Sequence, residues 1–187
     1  ESDEKPAHQV TLSDYMICKT EVTQELWQAV MGSNPSWFKG DNLPVEVVSW
    51  DDCQKFIKKL NVITGKNFAL PTEAQWEFAA RGGNKSRGFL YSGSNNINDV
   101  AWYDDNSRRQ THQVATKMAN ELGLYDMTGN VWEYCSDYYA LYPTEAQVNP
   151  QGRQTTSSKQ RVTRGGGWRQ NPGFDTSLFY CRVINRA

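Results

Sequence analysis

Three stretches of the chain carry apolar residues at helical spacing, and each is bracketed by start and stop signals. In the first, Thr23 is placed as an N-cap with Glu25 in the first turn. Leu26, Trp27 and Val30 share a face, and Gly32 closes the helix. In the second, Ser49 and Asp52 form a capping box with Asp in the usual place of Glu or Gln. Cys53, Phe56, Ile57 and Leu60 then recur at i, i+3, i+4 and i+7, while Lys55, Lys58 and Lys59 read as a solvated face and Gly65 ends the helix. The third opens at Pro71-Thr72, with Gln75 completing a capping box. It buries Trp76, Ala79 and Ala80 and stops at Gly82-Gly83; Glu73 and Glu77 are expected at the surface or salt-bridged.

Elsewhere the period shortens or vanishes. Gln9–Leu12 and Tyr15–Lys19 read as short strands about a turn at Ser13-Asp14, and Pro44–Val48 as an extended segment. From Asn84 onward no helix is expected. Val114–Lys117, Glu133–Tyr139, Arg161–Trp168 and Cys181–Arg186 read as strands between long polar loops at Asn84–Asn98, Asp104–Thr111 and Tyr142–Lys159. The pattern is α+β: few short helices and strands, with much irregular loop. Loops of this length in one domain are usually functional or held by a ligand or ion.

The segment Asn120–Tyr134, NELGLYDMTGNVWEY, concentrates two glycines, several acids and three aromatic rings. Leu122, Leu124, Val131 and Trp132 flank Thr128-Gly129-Asn130, so a hairpin is predicted. Asp126 and Glu133 lie on opposite sides of the turn. Two readings stand side by side: a surface hairpin with two solvated acids, or a pair of hard oxygen donors beside free carbonyls, which suits Ca²⁺.

Composition narrows the function classes. The 187 residues suffice for one domain with a core. With 20 Lys+Arg against 21 Asp+Glu, there is no basic surplus for nucleic acid. No apolar run reaches membrane-spanning length and no signal peptide is visible. Seven Trp, nine Tyr and 14 Gly indicate a loop-rich domain anchored by aromatic side chains. Cys18, Cys53, Cys135 and Cys181 form no CxxC pair, which disfavours a zinc knuckle and leaves thiols or disulfides open. His8 and His112 stand over a hundred residues apart in sequence, too few for a histidine-based iron site without a matched carboxylate.

The segments PVEVVSWDDCQKFIKKLN, FALPTEAQWEFAARGG, DVAWY, NELGLYDMTGNVWEYCSDYY and RVTRGGGW occur in this order. Together they closely resemble the formylglycine-generating enzyme, or sulfatase-modifying factor, family from about His8 to Arg186. The resemblance implies a single domain over 1–187 with that family's C-type lectin-like fold, stabilised by Ca²⁺. Relatives continue beyond CRVxxR to a closing strand, so the chain is read as incomplete at its C-terminal end.

Carried over residue by residue, the resemblance assigns calcium ligands to Asp126, the carbonyls of Gly129 and Val131, and Glu133. Catalytic relatives commonly have Asn at the first of these positions. A second family calcium site would fall near Asn98–Asp105, where the pattern does not match, and it is not assigned. Active members bind Cu(I) through two cysteines just after a GGSW-type motif. Here Gly165-Gly166-Gly167-Trp168 is followed by RQNPGFDTSLFY, without a cysteine. Gln170 stands near the place of the first thiol and Leu178 near that of the second. Cys181 fits the CRVxxR motif instead, so no catalytic residue is assigned and no copper is expected.

The resulting expectation is a non-catalytic domain that binds a protein or carbohydrate ligand. Recognition is assigned to Arg169, Gln170, Phe174, Asp175, Phe179 and Tyr180, which mix aromatic anchors with polar contacts. The divergence beginning at Gly167 also fits the variable proteins of diversity-generating retroelements, which share this domain. The alternative is a formylglycine-generating oxidase acting on a sulfatase cysteine. Family habits favour an extracytoplasmic or cell-surface location.

Overall fold

The computed structural model describes residues 5–152, 159–169, 181–184 and 186. Its elements run β1 (Val10–Thr11), α1 (Gln24–Met31), α2 (Trp50–Thr64), α3 (Glu73–Ala80), α4 (Ile97–Val100), β2 (Glu133–Tyr138), β3 (Gln147–Val148) and β4 (Arg161–Arg164). β2 and β4 pair antiparallel, with Glu133 opposite Arg164 and a register shift between Tyr134 and Tyr138. β1 pairs parallel with β3.

The helices begin and end where their caps dictate. Thr23 accepts from the Leu26 amide and Gly32 closes α1 in the left-handed region. Ser49–Asp52 and Thr72–Gln75 each form both halves of a capping box. α1 departs from the expected face. Leu26 is turned to solvent, and the fully buried position beside Trp27 belongs to Gln24. Gln24 is tolerated there because Nε2 donates to the Phe38 and Pro44 carbonyls, while Oε1 accepts from Asn34 Nδ2.

The main core gathers Trp76, Ala79, Ala80, Leu124, Met127, Cys135, Val162 and Val183. A second cluster holds Tyr91, Ile97, Val100, Ala101, Tyr103 and Cys181. α4 sits in that second cluster, where no helix is expected from sequence. Four residues are too few to show a period, and Asn96 caps it through the Asn98 amide. The four cysteines are free thiols.

Glu73 takes the salt-bridged of its two expected places, and it is buried. Its carboxylate receives Arg186 Nη2 at 2.8 Å and the Tyr142 hydroxyl at 2.9 Å, and it faces Arg164 Nε at 3.6 Å. Arg164 also pairs with Glu77. Burial raises the Glu73 carboxyl above its ordinary value, while the two guanidiniums pull it back.

Three expected strands are not strands. Tyr15–Lys19 is irregular and is held by the Tyr15 hydroxyl on the Gln75 carbonyl and by the Tyr125 amide on Lys19 O. Val114–Lys117 is broken by Ala115, whose φ is 59°. The described residues 181–184 form turns; Cys181 and Val183 supply buried side chains rather than a ladder.

Candidate functional site

The segment 120–132 does not form a hairpin. It is a succession of turns, and β2 begins only at Glu133. The reason is visible in where its hydrogen bonds go. The Gly129 amide donates to Gly165 O, the Asn130 amide to Trp102 O, and the Val131 amide to Glu21 Oε1. None of these partners lies across the predicted turn. Asp126, Gly129 and Asn130 all have positive φ, at 58°, 83° and 60°. At Gly129 this is obligatory, because a Cβ there would stand 2.4 Å from the Trp102 carbonyl oxygen.

Asn130 is the hub of the segment. It is fully buried, and each of its polar groups is used. Nδ2 donates to Glu21 Oε2 at 2.8 Å and to His112 O at 3.1 Å, and Oδ1 accepts from the His112 amide at 3.0 Å. Its carbonyl accepts from the Trp168 amide at 2.7 Å. His112 is absorbed into this frame: its ring stacks on Trp102 at 3.8 Å between centroids and Nε2 meets Ser107 O at 2.7 Å.

The proposed cation ligands lie in this frame. Asp126 is buried, and Oδ2 accepts from the Ala115 amide at 2.7 Å. Glu133 is half-buried, and Oε2 accepts from Trp76 Nε1 at 3.0 Å. The other oxygen of each carboxylate accepts no hydrogen bond from the described residues, and neither do the carbonyls of Gly129 and Val131. Burial pushes the Glu133 carboxyl up to about 7, with the Asp126 charge adding to the rise and the Trp76 bond opposing it. Burial likewise raises Asp126, against its bond from Ala115.

Glu21 is the member that sequence reading missed. Burial lifts its carboxyl well above the ordinary range, and the charges of Asp126 and Glu133 lift it further. Nothing in the local pattern signals it, since its partners lie 109 and 110 positions away. The charges of Asp126 and Glu133 make it costlier to ionise Glu21, and that of Asp126 does the same to Glu133, a repulsion that a hard cation would relieve. Among the described residues no three His, Cys, Asp or Glu side chains converge closely enough to hold a metal by themselves. A cation here would draw on two carboxylates and two carbonyls, a donor set that fits Ca²⁺.

The end of β4 is fastened to the same frame. Gly165 and Gly166 take φ of 93° and 76°. A Cβ on Gly167 would press Trp132 at 3.2 Å. Trp168 follows, with its amide on Asn130 O and its carbonyl accepting from Ser107 Oγ at 2.8 Å. Its ring meets Phe38 edge-on at 5.4 Å. Of the predicted recognition residues, Arg169 is exposed next to this anchor. Gln170, Phe174, Asp175, Phe179 and Tyr180 lie outside the described residues.

Irregular backbone around capped helices and, among the described residues, two small two-stranded sheets defines an α+β, C-type lectin-like domain of the formylglycine-generating-enzyme type. Residues 1–184 match the sulfatase-modifying factor enzyme 1-like domain, and the chain belongs to that family. It is 38% identical to a Paenibacillus barcinonensis protein named chaperone protein LppX, over 85% of this chain and 71% of that protein. It is 31% identical to the formylglycine-generating enzyme of Thermomonospora curvata, covering 76% of this chain and 50% of the enzyme, so the chain spans about half of that relative's length. Among solved structures, Treponema denticola variable protein 1 superposes with a TM-score of 0.88 at 34% identity, covering 99% of this chain and 82% of that one. No helix among the described residues is long and apolar enough to cross a membrane.

Proposed function

We propose that the chain is a non-catalytic recognition domain on a calcium-stabilised scaffold, with the segment after Trp168 as the ligand-contacting element. The observation that carries this reading is chemical. Residues 169–180 contain no cysteine, whereas Cu(I) oxidation of a substrate thiol needs two soft thiolates there. Cys181 alone is 1% exposed within the second core cluster, and burial pushes its thiol up to about 12, so it is a packing group rather than a nucleophile.

The likeness to Treponema denticola variable protein 1 supports recognition as the task and favours membership among the variable proteins of diversity-generating retroelements. The chaperone name of the Paenibacillus barcinonensis relative favours a protein over a carbohydrate as the ligand. Asp126, Glu133 and the carbonyls of Gly129 and Val131 would hold the Ca²⁺. The ion would neutralise the buried acids and lock the frame that carries Trp168.

Two experiments test this. Incubation with Cu(I) and a Cys-x-Pro-x-Arg peptide is expected to yield no aldehyde by mass spectrometry; steady turnover would replace recognition with the oxidase reading. Sequencing many copies of the gene from related isolates is expected to show variation concentrated in 167–186. Uniform sequences there would remove the retroelement assignment.

A further inference from the structure

We propose a second binding site, for a small carboxylate carried on a six-membered ring, in the cleft on the outward face of the β2–β4 sheet. The proposal goes beyond the recognition segment and uses none of its residues. The cleft has a volume of about 480 Å³ and is lined by Trp50, Tyr134, Tyr139, Gln160, Arg161 and Thr163. Alternation along the strands explains the lining. Cys135 and Asp137 of β2 and Val162 and Arg164 of β4 point inward and are buried. Tyr134 and Tyr138, with Arg161 and Thr163, are therefore left on the other face.

Arg161 determines the ligand chemistry. Its guanidinium carbon lies 3.6 Å from the Trp50 ring centre and 3.5 Å from the Tyr138 ring centre. With a ring against it on two sides, the group meets a further partner through its edge, where the N–H bonds point. Nη1 donates to Ser136 O at 2.7 Å. Among the described residues no other acceptor receives a hydrogen bond from Arg161, and it forms no ion pair with them. A half-buried guanidinium with N–H donors to spare, and no carboxylate among the described residues that line the cleft, is a receptor for a planar oxyanion.

The walls are fixed in advance. Trp50 Nε1 is tied to the Cys135 carbonyl at 3.0 Å, so the indole holds its place at the start of α2. Tyr134 adds ring surface for the body of the ligand, while the Tyr139 ring beside it already carries the Arg186 guanidinium at 4.5 Å. The combination selects a carboxylate with a flat or ring-shaped apolar side, which an acidic sugar or an aromatic acid each supplies. Preformed walls lower the ordering cost of binding.

Calorimetric titration of the purified chain with D-glucuronate, benzoate, acetate and methyl glucoside tests the assignment. Glucuronate or benzoate is expected to bind more tightly than acetate and methyl glucoside, and which of the two binds identifies the source of the ring. Arg161→Lys keeps the charge but removes the fork, and is expected to weaken binding by about tenfold or more. Tyr134→Leu keeps an apolar strand residue and removes a ring wall, giving a second loss should Arg161→Lys fold poorly. Equal heats for all four probes, or unchanged binding in a folded Arg161→Lys and in Tyr134→Leu, would overturn the proposal. It stands or falls apart from the recognition reading, whose tests involve residues after Gly167.

Discussion

Asn130 reaches Glu21 across 109 positions of sequence, with Nδ2 and Oε2 2.8 Å apart. The bond closes a buried frame that also contains the backbone of His112, Trp102 and Trp168. Asn130→Ala deletes three side-chain hydrogen bonds and leaves buried acceptors behind. Its cost is expected to be about 3 kcal/mol, read as a lower urea midpoint with an unchanged slope. Asn130→Asp places another carboxylate beside Glu21 and is expected to cost at least as much.

Calcium is expected to raise the melting temperature, and a strong chelator to lower it. At 100 times the dissociation constant the gain would be about 2.7 kcal/mol. Asp126→Asn and Glu133→Gln should each flatten the calcium response while leaving far-ultraviolet dichroism intact. A melting temperature indifferent to calcium and chelator in the unmodified chain would remove the ion from the account.

Two glycines in the same turn-rich segment should respond differently. Gly129→Ala drives a methyl group to 2.4 Å from the Trp102 oxygen at a φ of +83°. It is expected to cost more than about 3 kcal/mol and to yield little folded protein. Gly123 has φ +78° but open space around its Cβ position, so Gly123→Ala should cost only about 1 kcal/mol. Chemical denaturation of the pair separates contact from conformation.

The buried ionic group around Glu73 is expected to be intolerant of partial removal. Glu73→Ala leaves Arg186 and Arg164 short of a buried partner and should cost about 3–5 kcal/mol by denaturant melts.

The α2 cap gives a pH signature. Bonds from Ser49 and Lys55 hold the Asp52 carboxyl at about 2, below its ordinary value of 3.8, with Ser49 the larger influence. A depressed folded-state value means the group's stabilisation is fully present above pH 3.8 and fades as pH falls toward 2. NMR titration should show this low value, and Ser49→Ala should return it toward 3.8. The same change removes the N-cap and is expected to cost about 1 kcal/mol.

What could be read from sequence followed the range of the forces involved. Thr23, Ser49 and Thr72 each act on an amide three residues away, so their helices start where local pattern places them. Gln24 inverts the expected face of α1 because its partners, Phe38 and Pro44, are remote. The 120–132 segment looked like a hairpin because its turn residues are right for one. Its amides instead find Trp102, Gly165 and Glu21, none of which a local window contains. Asp126 and Glu133 stand out in sequence as acids on either side of a turn; Glu21 does not, since a lone Glu ahead of a helix carries no mark of its destination.

The fastening of Trp168 has a consequence for how the gene can change. Both of its peptide groups are committed, the amide to Asn130 and the carbonyl to Ser107. That double anchorage ends the buried frame at Trp168 and leaves Arg169 directly outside it. A substitution at the exposed Arg169 is expected to leave the melting temperature in place, whereas changes at the buried Cys181, Val183 or Arg186 further along are expected to lower it.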